Sequence, residues 1–231
     1  AHLTKLTEKF QGITVHALKV KYPQRGEKQL IKALTGREVP SGKLPLETGC
    51  VVDNVGTAYA VYEAVQKNKP LIQRVVTVTG NAARKHANFL VRVGTPIEYL
   101  IEHAGGMPAD LGKLISGGPM MGKALVSPEA PITKGSSGLL LMPETEAKRA
   151  PIKNCIRCAR CISACPMGLE PFLLAQLVPH DKWDDAEANR IMDCIECGSC
   201  HYICPSGRPL LDFIRLGKDK VGKIIRTRVK Q

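Results

Sequence analysis

Two cysteine runs with the same spacing constrain this chain more than any other feature. The first, NCIRCARCISACPMG, covers residues 154–168, and the second, DCIECGSCHYICPSG, covers residues 193–207. Both runs have the pattern C-x2-C-x2-C-x3-C-P, so eight of the nine cysteines lie in two short segments. Whatever the first run binds, the second run is therefore predicted to bind as well.

Three chemistries use several closely spaced cysteines, and the spacing separates them. A disulfide framework usually spreads its cysteines through a short secreted chain, which is not the distribution found here. Structural zinc takes one tetrahedral site from two C-x-x-C pairs, and a third cysteine at the same interval is unnecessary for it. The pattern is instead typical of bacterial ferredoxins with two [4Fe-4S] clusters. We therefore predict two such clusters.

In ferredoxin runs of this kind, the fourth cysteine ligates the other cluster. The predicted ligands are Cys155, Cys158, Cys161 and Cys204 for the first cluster, and Cys194, Cys197, Cys200 and Cys165 for the second. Such crossed ligation requires the two runs to lie side by side, so we expect the clusters to hold this domain together. The ninth cysteine, Cys50, is predicted to be a small buried hydrophobic residue.

The residues between the two runs have a helical pattern. Pro171 suits the first position of a helix, and Asp184 with Glu187 resembles a capping box. An apolar face is formed by Phe172, Leu173, Leu174, Leu177 and Val178. The cluster domain is therefore predicted to be helical, unlike the small antiparallel sheet of a free bacterial ferredoxin.

The first 72 residues alternate helix and strand signals. LTKLTEKF is predicted to be helical and GITVHALKV to be a strand, and GEKQLIKALTG is a helix with Gly36 as its C-cap. DNVGTAYAVYEAVQKNKP predicts a longer helix that Asp53 or Asn54 caps. Its buried side is predicted to carry Ala58, Val61, Tyr62 and Val65. This is α/β material, but it is too short for a complete doubly wound sheet.

From about residue 74 the pattern changes to short strands broken by glycine. RVVTVTG and NFLVRVG predict two strands, and TPIEYLIEHAGG predicts a compact helix with a capping box formed by Thr95 and Glu98. This order suggests a small β-grasp module. LISGGPMMGKAL and GSSGLLLMPE then predict further strands, and ETEAKRA a charged linker. SGGPMMG is interpreted as tight turns, because it lacks the spacing of known phosphate-binding loops.

The net charge of +12 would attract nucleic acid, an anionic membrane surface or an acidic protein. No nucleic-acid motif or aromatic stacking platform occurs, so we predict no nucleic-acid binding. The tail GRPLLDFIRLGKDKVGKIIRTRVK predicts an amphipathic helix with a basic surround. Two interpretations stay open: a helix packed on the cluster domain with a solvated basic side, or a docking surface for membrane lipid or an acidic partner.

The combination of KYPQRGEKQLIKALTGREVP, VVDNVGTAYAVYEAV, RVVTVTG, GGPMMG and the doubled cysteine run resembles the C subunit of the Rnf electron-transport complex, called Rsx in some bacteria. The resemblance covers essentially all 231 residues and corresponds to the C-terminal part of the conserved core of that protein. This family relates in turn to the flavin-bearing subunit of respiratory complex I. The complex I protein has a single cluster motif, so the two motifs here favour Rnf.

The resemblance implies an α+β multidomain chain with four segments. They are the C-terminal part of a Rossmann-like FMN/NADH domain (1–72), a β-grasp module of the soluble-ligand-binding (SLBB) type (73–115), glycine-punctuated strands with a linker (116–150), and a helical ferredoxin-type domain with two [4Fe-4S] clusters and a basic C-terminal helix (151–231).

The function implied by the resemblance is single-electron relay in a membrane-bound ferredoxin:NAD+ oxidoreductase coupled to Na+ or H+ translocation. Two [4Fe-4S] clusters would pass electrons between ferredoxin-side carriers and FMN, and the flavin would exchange hydride with NAD(H). The implied partners are the other subunits of an Rnf/Rsx-type complex and ferredoxin or another iron–sulfur subunit. The implied location is the cytoplasmic face of the bacterial inner membrane, with peripheral contact through the basic C-terminal helix.

Two residues are carried over to the flavin site by the resemblance. Glu27 of GEKQL is similar to an acidic residue near the flavin of complex I, and Asn54 of DNVGT is similar to one of its flavin-site asparagines. Each also has a purely structural interpretation, since Glu27 favours a helix N-terminus and Asn54 caps a helix. The glycine-rich loop that this family uses for FMN phosphate and NADH is expected upstream of Ala1. These 231 residues alone are therefore expected to be an incomplete catalyst, with weak or absent NADH oxidation.

One alternative function is that of a self-contained enzyme. A self-contained soluble flavin and iron–sulfur dehydrogenase would use the same cofactors, and its β-grasp module would bind a small ligand. Copurification with membrane subunits separates the two hypotheses, because a soluble enzyme would turn over alone.

Overall fold

The computed structural model describes residues 2–229, and the chain forms two compact units, Ala1–Val52 and Asp53–Gln231. The first unit contains helices α1 (His2–Thr7) and α2 (Glu27–Thr35) and a 3-10 turn at Pro45–Thr48. Ile31 on α2 is buried, and α2 ends where Gly36 takes the left-handed conformation (φ 73°) and donates its N–H to the Lys32 carbonyl. The predicted C-cap is therefore confirmed.

The strand expected at GITVHALKV is absent from this unit. Residues 13–20 have no regular secondary structure, and their side chains are exposed. A strand forms only where a neighbouring strand accepts its backbone hydrogen bonds, and the β-branched residues of this segment favour that state without supplying the neighbour. The strand prediction is therefore wrong for this segment.

The second unit begins with helix α3 (Val55–Lys67). Asn54 caps it as predicted, because its side-chain oxygen accepts the Gly56 N–H at 2.9 Å. The side predicted to be buried is exposed: Val61 and Val65 are 56% and 71% accessible, and no described residue of α3 is buried. The helical period shows which side suits packing, but it does not supply a surface to pack against.

A five-stranded mixed sheet forms the middle of this unit, in the order β2-β1-β5-β3-β4. Its elements are β1 (Gln73–Thr79), β2 (Ala87–Arg92), α4 (Ile97–His103), β3 (Leu111–Ser116), β4 (Lys123–Ala124) and β5 (Gly138–Pro143). β1 pairs antiparallel with β2 and parallel with β5, and β3 pairs antiparallel with β4 and β5. The sheet thus extends past residue 115, because β4 and β5 come from the segment 116–150.

Alternate residues of the sheet pack against α4. Val76 and Val78 of β1 are fully buried whereas Val75 next to them is exposed, as the period of a strand requires. The same core contains Leu139 and Leu141 of β5, Leu114 of β3, and Ile97, Leu100 and Ile101 of α4. The strands predicted at RVVTVTG, NFLVRVG, LISGG and GLLLMPE are therefore confirmed.

The capping box predicted for α4 is wrong. Pro96 is the N-cap, and no side chain accepts a hydrogen bond from the first turn. The Ile97 and Glu98 N–H groups instead donate to the carbonyls of Ala130 and Pro128, at 3.0 and 2.9 Å. A distant loop therefore satisfies the donors that the side-chain cap was expected to satisfy.

The cysteine runs lie in a helical domain, as predicted. After the short helix α5 (Glu144–Ala147) it contains α6 (Arg160–Ser163), α7 (Pro171–Leu177), α8 (Trp183–Ala188), α9 (Ser199–Ile203) and α10 (Leu210–Val229), with 3-10 turns at Val178–His180 and Ile191–Asp193. α10 packs against α7, α8 and α9. The core of this domain consists of Leu169, Leu174, Ala175, Val178, Ala186, Ile191, Cys200, Leu210, Ile214 and Val221.

Two details of the helix predictions differ in outcome. Pro171 occupies the first turn of α7, which confirms that prediction. The capping box at Asp184 and Glu187 is absent, because both carboxylates bind Arg228 of α10 at 2.8 and 2.7 Å.

Among residues 2–229, no helix combines the length and the apolar character that a bilayer span requires.

Candidate iron–sulfur centres

The two cysteine runs fold into loops with the same unusual backbone. In the first run, Arg157 and Ala159 have φ of 54° and 58°, and in the second run Glu196 and Gly198, at the equivalent positions, have φ of 55° and 80°. Three of these four residues are not glycine, so the left-handed conformation has a cost of about 1 kcal/mol each. The doubled spacing is therefore accompanied by a doubled local fold that turns the chain around its thiols.

The thiols of the second run share a pocket with a thiol of the first run. Cys194, Cys197 and Cys200 line it together with Cys165. The rest of the lining is apolar or glycine: Pro166, Met167, Leu169, Pro171, Leu174, Ile195, Gly198, Leu211 and Ile214. Four thiols and no other side-chain donor fit a [4Fe-4S] cluster, which takes four cysteine thiolates.

The fourth thiol of the second run lies near the first run. Cys204 is close enough to Cys161 for a thiolate there to raise the pKa of Cys161, although burial is the larger cause of that rise. Both side chains pack against the helical core. Cys155 is half-buried and Cys158 is exposed. The structure therefore brings Cys165 to the second run and Cys204 to the first.

Burial makes the inner thiols weak acids when no metal is bound. It raises the pKa of Cys200 to about 12, with smaller contributions from negative charge on Cys194 and Cys197. Burial is also the main reason that the pKa of Cys194 is raised. These groups must lose their protons when they become metal ligands, so metal loading is expected to release protons.

A single metal ion has different requirements from a cluster. Within residues 2–229, no three His, Cys, Asp or Glu side chains are arranged as one ion would need them. A [4Fe-4S] cluster does not need that arrangement, because each of its four irons takes one thiolate and the sulfurs of the protein lie further apart.

Backbone N–H groups point at the sulfur atoms of this pocket. The Leu169 N–H donates to Cys165 Sγ, and the Glu196 N–H donates to Cys194 Sγ, both at 3.4 Å. The second of these donors, Glu196, has the left-handed backbone conformation described above. Hydrogen bonds to sulfur are one of the factors that set cluster potential.

Three charged side chains lie over the loop of the second run. Lys218 Nζ contacts Glu196 Oε1 at 2.9 Å and the Cys194 carbonyl at 2.6 Å, and Arg215 Nε contacts Glu196 Oε2 at 3.1 Å. Burial alone would raise the pKa of Glu196, but its hydrogen bonds and charge attraction to Lys218 and Arg215 outweigh burial and lower it. The carboxylate is therefore held ionised between two cations.

The sequence placed Arg215 and Lys218 in the basic surround of the last helix, which was interpreted either as a solvated side or as a docking surface; for these two residues the structure supports neither. They are half-buried, and α10 aims them at the cysteine loop. Their spacing of three residues places them on one helix face, next to the apolar positions Ile214 and Val221, and this was the available signal. The rest of the tail agrees with the packed-helix interpretation.

The glycine turn SGGPMMG lies against the second run. An added Cβ at Gly198 would come within 2.7 Å of the Met120 carbonyl oxygen, and Arg215 Nη2 donates to the Met121 carbonyl at 3.2 Å. Within the turn, Gly117 has φ of 104° and the Gly122 N–H donates to the Gly118 carbonyl at 2.8 Å. The turn interpretation is confirmed, and the turn covers the loop that carries Cys194 and Cys197.

The two residues predicted for flavin lie at helix N-termini. Glu27 is exposed in the first turn of α2, and Asn54 is the exposed N-cap of α3. Asn54 thus has the structural role described above, while its Nδ2 has no hydrogen-bond acceptor among the described residues. Cys50 is half-buried, and its Sγ lies 3.6 Å from the Thr48 carbonyl, so the expected full burial is wrong.

Three family models match the chain in order. Residues 1–63 match the Nuo51 FMN-binding domain, residues 75–124 match the SLBB domain, and residues 147–205 match the 4Fe-4S dicluster domain. The predicted SLBB-type module, FMN-domain segment and 4Fe-4S domain are confirmed by these matches. The chain therefore joins a segment similar to an FMN-binding domain, an SLBB domain and a 4Fe-4S dicluster domain, in that order.

Three longer relatives are similar to most of this chain. The C subunit of the Na(+)-translocating ferredoxin:NAD(+) oxidoreductase complex of Acetobacterium woodii is 46% identical over 209 residues, 90% of this chain and 47% of the relative. The proton-translocating counterpart of Clostridium ljungdahlii is 47% identical over 180 residues, 77% of this chain and 39% of the relative. The C subunit of the ion-translocating oxidoreductase complex of Rhodobacter capsulatus is 42% identical over 209 residues, 90% of this chain and 40% of the relative. The chain is similar to these C subunits over most of its own length and spans less than half the length of these relatives.

Proposed function

We propose that this chain relays single electrons through two [4Fe-4S] clusters with crossed ligands. The first cluster takes Cys155, Cys158, Cys161 and Cys204, and the second takes Cys194, Cys197, Cys200 and Cys165. The observation that carries the proposal is the pocket in which Cys165 joins the three thiols of the second run. When bound, such a cluster supplies reversible one-electron transfer.

The surroundings of the pocket suit this role. Apolar side chains such as Leu174 and Ile214 exclude water from the thiols, and backbone N–H groups donate to sulfur. Lys218 and Arg215 place positive charge next to the loop, which favours the more negative, reduced state of anything bound there. The chain thus binds, shields and electrostatically tunes a redox centre.

The proposed activity of the whole complex is supported by the similarity to the C subunits described above. We propose that the chain acts within a membrane-bound ferredoxin:NAD+ oxidoreductase complex coupled to Na+ or H+ translocation, with the other subunits of that complex as partners. In this role it passes electrons between ferredoxin-side carriers and FMN, with NAD(H) as the substrate of the whole protein. Its proposed location is the cytoplasmic face of the membrane, held there peripherally, and the exposed cations of α10 suit contact with anionic lipid.

FMN binding is proposed for the part of the protein to which residues 1–63 belong. Glu27 and Asn54 are the proposed flavin contacts in this chain. Asn54 suits the role because its Nδ2 can donate while Oδ1 caps α3. A Glu27→Gln and an Asn54→Ala variant of the full-length protein should each weaken FMN binding, which fluorescence titration measures.

Anaerobic reconstitution tests the cluster proposal. The chain is loaded with iron and sulfide, its iron is counted, and EPR spectra are recorded after reduction. We expect about eight irons per chain and the signals of two interacting [4Fe-4S] clusters. A count of about four irons, or zinc in place of iron, would contradict the proposal.

A further inference from the structure

We propose that the surface around the first cysteine run docks an acidic electron-carrier protein. This surface, here called the first-run face, consists of the exposed segment 151–160 and the adjoining residues 202–208. The inference rests on the proposed function, because it names the partner that would exchange electrons with the first cluster.

The first observation is exposure. Every residue from 151 to 160 is exposed except Cys155, and the predicted ligand Cys158 is among the exposed ones. In the second run, by contrast, Cys197 and Cys200 are buried. Direct electron transfer needs two carriers close together, so a ligand at the surface marks where a partner's redox centre can approach.

The second observation is a set of exposed apolar side chains in the two segments of the first-run face. They are Ile152, Ile156, Tyr202 and Ile203, of which Tyr202 is 77% accessible. The backbone joins the two segments that carry them, since the Lys153 N–H donates to the Ser206 carbonyl at 2.9 Å, and α6 contacts α9. Apolar groups at the centre of a polar surface are typical of protein interfaces.

The third observation is unbalanced positive charge. Lys153, Arg157 and Arg160 are exposed, and their side chains bind no carboxylate among the described residues. No Asp or Glu occurs from residue 150 to 169 or from 199 to 211, and Arg208 adds a further cation to the second stretch. Even with four thiolates at its centre, the face therefore has a rim that attracts an acidic protein.

These observations favour a protein carrier over a lipid surface. Cations and apolar groups suit both partners, but a surface-exposed cluster ligand serves only a partner that carries electrons. In each encounter one electron crosses the interface: the carrier is oxidised by one electron and the first cluster is reduced by it, or the reverse. No covalent bond forms and no proton has to move. The charge rim would speed this encounter and make it dependent on salt.

The test uses a small acidic bacterial ferredoxin with [4Fe-4S] clusters as the probe. Stopped-flow absorbance follows reduction of the loaded chain by the reduced ferredoxin, at several ionic strengths. A Lys153→Glu/Arg160→Glu variant reverses two rim charges. The matched control, Lys220→Glu/Arg226→Glu, makes the same charge change on α10, where Arg226 lies about 20 Å along the helix from Asp212.

We expect the rim variant to lower the second-order rate constant at low salt about tenfold, and the control variant to change it less than about twofold. The difference should shrink as salt increases. An Ile152→Ser variant should weaken binding without changing its salt dependence. Ferredoxin binding is also measured by calorimetry, with and without iron in the chain, so docking is tested separately from electron transfer.

The outcomes separate this proposal from the cluster proposal. Absence of iron clusters from the wild-type chain would contradict the proposed function, and calorimetry would still decide whether the rim binds the ferredoxin. Equal slowing by the rim and control variants, with iron content and dithionite reduction intact, would overturn the docking face. Loss of binding to anionic phospholipid vesicles in the rim variant, with unchanged reaction with ferredoxin, would assign the face to lipid instead.

Discussion

The two cysteine runs have the same spacing and the same left-handed residues, yet their surroundings are opposite. The first run is a surface loop with an exposed cysteine and no acidic residue. The second run lies under the glycine turn at Met120 and under Arg215 and Lys218, and it contains Glu196. The ligand pattern therefore determines the local loop, whereas distant parts of the chain determine access and charge.

This difference gives the two proposed clusters different tasks. Burial, nearby charge and hydrogen bonds to sulfur set the potential of a cluster, and burial and nearby charge differ between the runs. An exposed cluster suits exchange with a partner, and an enclosed cluster suits transfer within the protein. Each prediction below tests the difference in ligation, packing or charge between the two runs.

The largest effect is expected from removing the fourth ligands. A Cys165→Ala variant should lose the second cluster, about half of the bound iron, because its own run does not use that thiol. Its EPR spectrum after reduction should match that of a Cys200→Ala variant. Iron counting and EPR on the reconstituted proteins measure both effects.

The matched partner of this experiment is Cys204→Ala. Its spectrum should match that of Cys155→Ala, which lacks a ligand of the first cluster. If Cys165→Ala instead resembles Cys155→Ala, each run ligates its own cluster and the crossed assignment is wrong.

The next effect comes from the equivalent positions Ala159 and Gly198. A Gly198→Ala variant places the residue of the first run into the second, where its Cβ would come within 2.7 Å of the Met120 carbonyl at φ of 80°. We expect a loss of about 2 kcal/mol in the free energy of unfolding, measured by denaturant titration. The reverse exchange, Ala159→Gly, should change stability by less than about 1 kcal/mol because that loop is exposed. Equal effects at the two positions would mean that the turn does not restrict the second run.

Features of the fold that depend on neighbouring residues could be predicted from the sequence, and features that depend on distant residues could not. The strands of the five-stranded sheet, the helix stop at Gly36 and the helix start at Asn54 follow from local spacing and backbone preference, and these predictions are confirmed. The caps of α4 and α8 failed because distant groups, a loop carbonyl at Ala130 and the guanidinium of Arg228, replaced the local partners. A local sequence pattern does not show which distant residue will be the hydrogen-bond partner of a helix terminus.

The same limit applies to the candidate site. Its thiols were predicted from spacing alone, but the cover over the second run was not. The sequence places Lys218 and Arg215 in a basic surround that faces either solvent or a partner, and it predicts turns at SGGPMMG without indicating the surface that they cover. The left-handed conformation of Arg157 and Glu196 was equally hidden, because neither residue type favours it.

A third prediction concerns the charge above the second run. A Lys218→Met variant keeps the length of the side chain but removes its bonds to Glu196 and the Cys194 carbonyl. We expect a loss of about 1–2 kcal/mol in stability, since Arg215 still pairs with Glu196. The potential of the second cluster should fall, because a nearby positive charge favours the reduced state. EPR-monitored redox titration measures this shift, and Lys220→Met on the exposed side of α10 is the control. An unchanged potential would show that Lys218 only holds the loop.

The smallest effect is expected from the ion pair nearest the first run. Arg149 pairs with Asp212, but the two side chains are 60% and 42% accessible. Water screens such a pair and its geometry orders two long side chains, so Arg149→Ala should change stability by less than about 0.5 kcal/mol in thermal or chemical denaturation. The contrast with Lys218→Met compares an exposed ion pair with a half-buried one that also binds a backbone carbonyl. A loss as large as that of Lys218→Met would show that the surroundings of the first run are as rigid as those of the second. The asymmetry between the runs would then be one of charge alone.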